Sequence, residues 1–118
     1  MALKLEQIEQ INLIAWFKHE YPEFEKDIHH FANERKCSVI EGRILKRMGV
    51  IRGVSDIFIA IPANGKAGLW VELKVGDGKL SSDQKIFLER KTERGYDAVV
   101  AWGANAAKEI IKAYLGTP

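Results

Sequence analysis

The sequence predicts a mixed α/β fold in which helices flank a small β-sheet. Three observations predict it. Apolar, β-rich runs fall at 54–61, 69–75 and 96–102. The first two are joined by the turn-forming stretch PANGKAG, which makes them an antiparallel hairpin. Residues 69–102 form a strand–helix–strand unit, whose right-handed crossover leaves its two strands parallel.

Each element has its own warrant. Leu5 to about His19 is helical and stops near Pro22, because the residue before proline disfavours the helical region. Asp27 to Phe31 is a short strand. Val39 to Met48 is a second helix, closed by Gly49. Ser81 and Gln84 have the spacing of a capping box, which opens a third helix to about Arg94 with Gly95 as its stop. Tyr96 to Trp102 is a strand, Gly103 breaks it, and Ala104 to Leu115 is the last helix. At about 100° per residue, Leu3, Glu6, Gln10, Leu13, Ile14 and Phe17 share one face of the first helix. Ile8, Ile11 and Ala15 lie opposite, so either face can be the buried one.

A chain of 118 residues is expected to form one domain, 1–118, with a modest core. It is 47% hydrophobic and 29% charged, ordinary for a globular protein. No apolar run approaches the roughly 20 residues of a membrane span, and the N-terminus lacks a signal-peptide core. An intracellular, cytoplasmic protein without a membrane partner is therefore expected. The single cysteine, Cys37, has no partner for an internal disulfide. A net charge of +2 says little about partners. Local basic clusters, Lys46, Arg47 and Arg52, then Lys79, Lys85, Arg90 and Lys91, suit phosphate contacts, although solvated helix faces explain them equally well.

The chemistry-bearing pattern is Glu72-Leu73-Lys74. Alternation along a strand sends Glu72 and Lys74 to one face, and Val71, Leu73 and Val75 to the other. A half-exposed, solvated strand face accounts for such a triplet taken alone. The hairpin adds a second carboxylate. A turn centred near Gly65 sets Phe58 opposite Glu72 and Asp56 opposite Lys74 on the same face, with facing Cβ atoms roughly 4.5–5.5 Å apart. A slip of one residue would send Asp56 to the wrong face. Two carboxylates and a lysine around one space suit phosphodiester hydrolysis. Mg2+ is commonly held by one or two carboxylates with waters and substrate phosphate, and acidifies bound water. The lysine orients water or offsets developing charge.

Other residues are candidates around this set. A Gly-rich stretch, Gly49 to Gly53, precedes Asp56, where glycine either allows a phosphate backbone to approach or serves the turn. Gln84 lies in the first turn of a helix, where anions are favoured, or acts only in its capping box. Glu6 or Gln10, polar on an otherwise apolar stripe, can reach the site, with Glu9 as the alternative acid. His29 and His30 point opposite ways on their strand, so both cannot serve one site. Trp16, Trp70 and Trp102 read as core or interface aromatics, with base stacking the less favoured role.

Taken in order, Gly49-Val50-x-x-Gly53-Val54-x-Asp56, Gly68-Leu69-Trp70-Val71-Glu72-Leu73-Lys74, Leu80-Ser81-x-x-Gln84 and Gly95-Tyr96 resemble the VRR-NUC domain of the PD-(D/E)XK nuclease superfamily. The similarity spans nearly the whole chain and looks like the short stand-alone form of bacteriophages and bacteria. It implies a restriction-endonuclease-like core, with Asp56, Glu72 and the Leu73 main-chain carbonyl as metal ligands. It also implies Lys74 as catalytic lysine, Gln84 as the downstream glutamine, and a first-helix residue from among Glu6, Glu9 and Gln10. Mg2+ or Mn2+ is the implied cofactor. The implied activity is a DNA endonuclease, a homodimer acting on branched DNA such as a four-way (Holliday) junction. A dimer also supplies the second site that cutting both strands of a symmetric substrate needs. The first helix is the expected interface.

Two departures are visible: Ser55 stands where the family usually has proline, and Asn33-Glu34-Arg35 only partly follows the family's Asn-Gly-Gly-type loop. Two other readings compete with a nuclease. One is a nucleic-acid-binding module with a vestigial site; the other is a structural or protein-interaction domain whose charged strand face is only solvated.

Overall fold

A computed structural model describes residues 2–31 and 38–116. Cys37 and the Asn33-Glu34-Arg35 stretch lie outside the described residues. The element order is α1 (Leu5–Glu20), a 3-10 turn (Pro22–Phe24), β1 (Ile28–His30), α2 (Val39–Arg47), β2 (Ile57–Ile59), β3 (Leu69–Lys74), α3 (Ser82–Glu93), β4 (Asp97–Trp102) and α4 (Ala104–Leu115). This is the expected succession, with the 3-10 turn added where Pro22 ends the first helix.

The strands form one sheet in the order β1-β2-β3-β4. The β1/β2 and β2/β3 pairs are antiparallel, and β3/β4 is parallel as the crossover predicts. Leu13 and Phe17 of α1 pack with Ala107, Ile111 and Tyr114 of α4 over Ile57, Ile59, Leu69, Val71, Leu73 and Ala101. On the other face Trp70 stacks on Phe58 at 4.2 Å and meets the edge of Phe87, in α3, at 5.0 Å. The sheet is therefore covered on both sides, and β3, one of its two inner strands, is buried from Leu69 to Leu73.

The α1 packing decides which face of that helix turns inward. Leu13 and Phe17 are fully buried, whereas Ile8 and Ile11 are about half exposed. The stripe carrying Glu6 and Gln10 is thus the inner one, and both residues are half-buried.

The hairpin register differs from the expected one. Phe58 pairs with Trp70, not Glu72, and Ile57 pairs with Val71, so the ladder is displaced by two residues. The turn is the two-residue Asn64-Gly65, with φ of 53° and 75°, closed by the Ala63↔Lys66 bridge. The Ala60–Pro62 arm then carries one residue more than its partner arm, and Pro62 has no N–H for a ladder bond. The displacement is even, so every side chain keeps its face. β2 is also shorter than the 54–61 run, because Ala60 N–H donates to Asp27 and the ladder at the other end passes to the Asp56 side chain.

Candidate active site

Within the buried run of β3, one residue is out of keeping with its neighbours. Glu72 is 2% exposed, in a strand otherwise built of apolar side chains up to Lys74. Asp56, 8% exposed, stands where β2 stops. Continuing the observed ladder by one position brings Asp56 opposite Glu72, not Lys74. The charged face is not a solvated one: two carboxyl groups have been taken out of water together, which costs free energy unless something compensates.

Local structure holds Asp56 there. Its Oδ2 accepts the Leu73 N–H at 2.8 Å, replacing the next bond of the β2/β3 ladder. Its main-chain carbonyl accepts the Phe31 N–H at 2.7 Å and lies 3.0 Å from His30 Nδ1. Of the two adjacent histidines, His30 is thus the one that touches this segment. Gly53 leans on the first turn of α3 at φ +81°, where a Cβ would collide with the Asp83 carbonyl group and the Gln84 nitrogen. The glycine before Asp56 accordingly serves the contact between its loop and α3. Ser55, one of the two departures noted in the sequence, is 1% exposed and its hydroxyl has no hydrogen-bond partner among the described residues.

The electrostatics of the pair follow from this geometry. Burial, then a hydrogen bond and charge repulsion from Asp56, push the Glu72 carboxyl up to about 9. Lys74, whose Nζ lies 4.0 Å from Glu72 Oε2, opposes the rise, and Glu6 adds a smaller repulsion. The pair therefore holds a proton near neutral pH.

This set has less positive charge than it can use. Glu72 Oε1 is buried without a hydrogen-bond partner among the described residues. In a strand, the N–H and C=O of one residue point to the same edge. The Leu73 carbonyl therefore faces the gap into which its N–H donates to Asp56. Two carboxylates, one of them with an orphaned oxygen, and a main-chain carbonyl fit a hard divalent cation that keeps waters in its remaining positions. Among the described residues no three His, Cys, Asp or Glu side chains cluster as a metal site.

The other candidates separate clearly. Glu9 turns to α4, its Oε1 lying 3.4 Å from the Ala104 N–H at that helix's start. Glu6 is the first-helix acid whose charge reaches Glu72. Gln10 is half-buried and its Nε2 has no partner among the described residues. Gln84 forms the capping box, its Oε1 accepting the Ser81 N–H at 2.8 Å and its N–H donating to Ser81 Oγ at 3.1 Å. Trp70 is a core residue, and Trp102 is exposed. Trp70 lies inside its strand run and Trp102 at the end of its own, directly before Gly103.

The family model of the VRR-NUC domain matches residues 4–105. The chain belongs to the VRR-NUC family. This places it in the PD-(D/E)XK nuclease superfamily, in keeping with the mixed sheet and its flanking helices. A solved structure described as a VRR_NUC domain protein is similar over 99% of this chain and 93% of its own, with a TM-score of 0.84 and 28% identity. Among curated proteins none matches the chain. The matched span of this VRR-NUC domain holds Asp56, Glu72 and Lys74 together with the first-helix residues. Among the described residues no helix is long and apolar enough to cross a membrane.

Proposed function

We propose that this VRR-NUC domain is a DNA endonuclease dependent on Mg2+ or Mn2+ and selective for branched DNA, acting inside the cell. One observation carries the reading: Glu72 and Asp56 are buried side by side, with Lys74 Nζ 4.0 Å from Glu72. A structural domain gains nothing from burying two carboxyl groups against each other, whereas a metal site needs them.

Asp56, Glu72 and the Leu73 carbonyl would hold the ion. What it supplies when bound is positive charge at the phosphoryl oxygens and a lowered pKa for water. Glu72 must first lose the proton that its surroundings hold, and Asp56 stays fixed through its bond to the Leu73 N–H. Lys74, 17% exposed at its side chain, has access to substrate while its stem is packed. Its ammonium group would offset the charge that builds on phosphate as the bond breaks. Glu6 and Gln10 adjoin this machinery from α1, and Gln84 would have to leave its capping box to join it.

A homodimer would give a symmetric junction its second site. Exposed apolar residues support pairing of copies: Leu5, Ile8 and Ile11 on α1, and Val39, Ile40 and Ile44 on α2. Light scattering checks this; a monomeric mass at micromolar concentration contradicts it.

The catalytic reading is tested with purified protein, Mg2+ or Mn2+, and a panel of duplex, flap and four-way-junction DNAs. Cleavage should favour the branched members, cease with EDTA and be lost in Lys74→Ala. No cleavage of any member, or undiminished cleavage by Lys74→Ala, overturns it and favours the vestigial binding module.

A further inference from the structure

Trp102 is the last residue of β4 and pairs with Lys74 across the parallel ladder. Paired residues share a face, so the indole leaves the sheet on the side that carries Glu72 and Lys74. Half of its surface is exposed (50%), against 8% for Trp70. Exposing a large aromatic face to water forgoes free energy that burial would return.

The ring is nevertheless anchored. Its Nε1 donates to the Gly78 carbonyl at 3.2 Å. Gly78 in turn lies along the lysine stem, where a Cβ would sit 3.4 Å from Lys74 Cδ. The one polar atom of the indole is thus used on the loop after Lys74, and half of the residue's surface remains open on the sheet face that carries Lys74.

We propose that Trp102 is a stacking platform for an unpaired nucleobase of the strand whose phosphate is held at Asp56, Glu72 and Lys74. The proposal rests on the nuclease reading and gives it a substrate preference. Adjacent strands lie about 4.8 Å apart, so a phosphate at Lys74 brings its own or a neighbouring base within reach of the ring. Every base has a π-face, so stacking tolerates sequence. A base inside a duplex hides that face against its neighbours. Trp102 therefore favours nucleotides that have left the stack, as at a branch point or on a single strand. A small residue here would leave the phosphate-binding groups intact and lose that preference.

The test uses the full chain with Ca2+, a larger hard cation, in place of Mg2+ or Mn2+, so that the phosphate is held while cleavage is suppressed, with fluorescein-labelled oligo(dT) and a fully paired duplex. Trp102→Ala should weaken oligo(dT) binding by roughly five- to 150-fold, the range for loss of one aromatic–base stack, and leave duplex binding unchanged. Trp102→Phe lacks the indole N–H but keeps a ring, so it should retain most of the affinity. Oligo(dT) should quench tryptophan fluorescence strongly in the wild type and far less in Trp102→Phe, because Trp70, on the same sheet face, is buried at 8% exposure. Wild-type affinity in Trp102→Ala, quenching that persists undiminished in Trp102→Phe, or no oligo(dT) binding by the wild type overturns the proposal. Equal losses on oligo(dT) and duplex also overturn it, because they mark a residue that only positions the Gly78 loop. The nuclease reading fails separately: it falls if the wild type binds oligo(dT) through Trp102 and cuts nothing with Mg2+ or Mn2+.

Discussion

Asp56, whose Oδ2 accepts the Leu73 N–H at 2.8 Å where the β2/β3 ladder ends, stands against Glu72 and raises the pKa of its buried carboxyl group. Two acids that would repel each other when ionised are held together by the fold, and a proton relieves the repulsion in the metal-free protein.

A pH dependence of stability follows. Glu72 rises from 4.5 in its ordinary state to about 9 in the fold, chiefly through burial. Between these values the folded chain keeps a proton that the unfolded chain has lost. The stability Glu72 contributes is therefore complete below about 4.5 and falls as pH rises towards about 9. The slope from one such group is at most about 1.4 kcal/mol per pH unit. Urea unfolding in EDTA across this range should show the fall, and Glu72→Gln should flatten it.

Metal binding should release that proton. Calorimetry with Mn2+ in two buffers of different ionisation enthalpy should give different apparent heats, with affinity rising as pH increases. Asp56→Asn removes the charge but leaves an oxygen to accept the Leu73 N–H. It should abolish saturable binding with little loss of stability. Asp56→Ala orphans that buried N–H and should cost about 1–3 kcal/mol.

Gly53→Ala should destabilise the protein by more than about 1 kcal/mol, since it combines a positive φ with a collision against α3. Gly49→Ala, at a position with open space around it, should cost less. Thermal unfolding of the two variants compares them directly.

The buried face of α1 makes a similar contrast. Leu13→Ala should cost roughly 2–5 kcal/mol and Ile11→Ala within about 0.5 kcal/mol, because Leu13 is fully buried and Ile11 is 56% exposed. Equal losses would place the wrong stripe inward and remove Glu6 from the side facing the sheet.

Much of this was legible in the chain. The nine-residue run of α2, the Ser81–Gln84 box and the β3–α3–β4 crossover follow local rules of capping and handedness, and all are present. Asp56 and Glu72 share a face because side-chain alternation survives an even displacement of register, although their exact partners depended on a turn half a residue away from the expected centre and on the extra residue in the Ala60–Pro62 arm. Burial was not legible. Nothing in sequence sends Glu9 to the start of α4 while Glu6 acts on Glu72, and the position of Trp102 at a strand end did not by itself show that it is exposed. Those outcomes depend on which elements pack together, and long-range packing leaves no short-range signature.

The central claim is that the buried carboxylate pair exists for hydrolysis. The most direct test is the single-turnover cleavage rate of a four-way junction by Glu72→Gln beside the wild type, in saturating Mg2+ or Mn2+. Glutamine preserves size and a hydrogen-bond partner for Asp56, so the fold should persist. The expected result is a rate lower by at least about 100-fold, comparable to losing one preorganised charge-stabilising group. A folded Glu72→Gln protein that cuts at the wild-type rate would contradict the account.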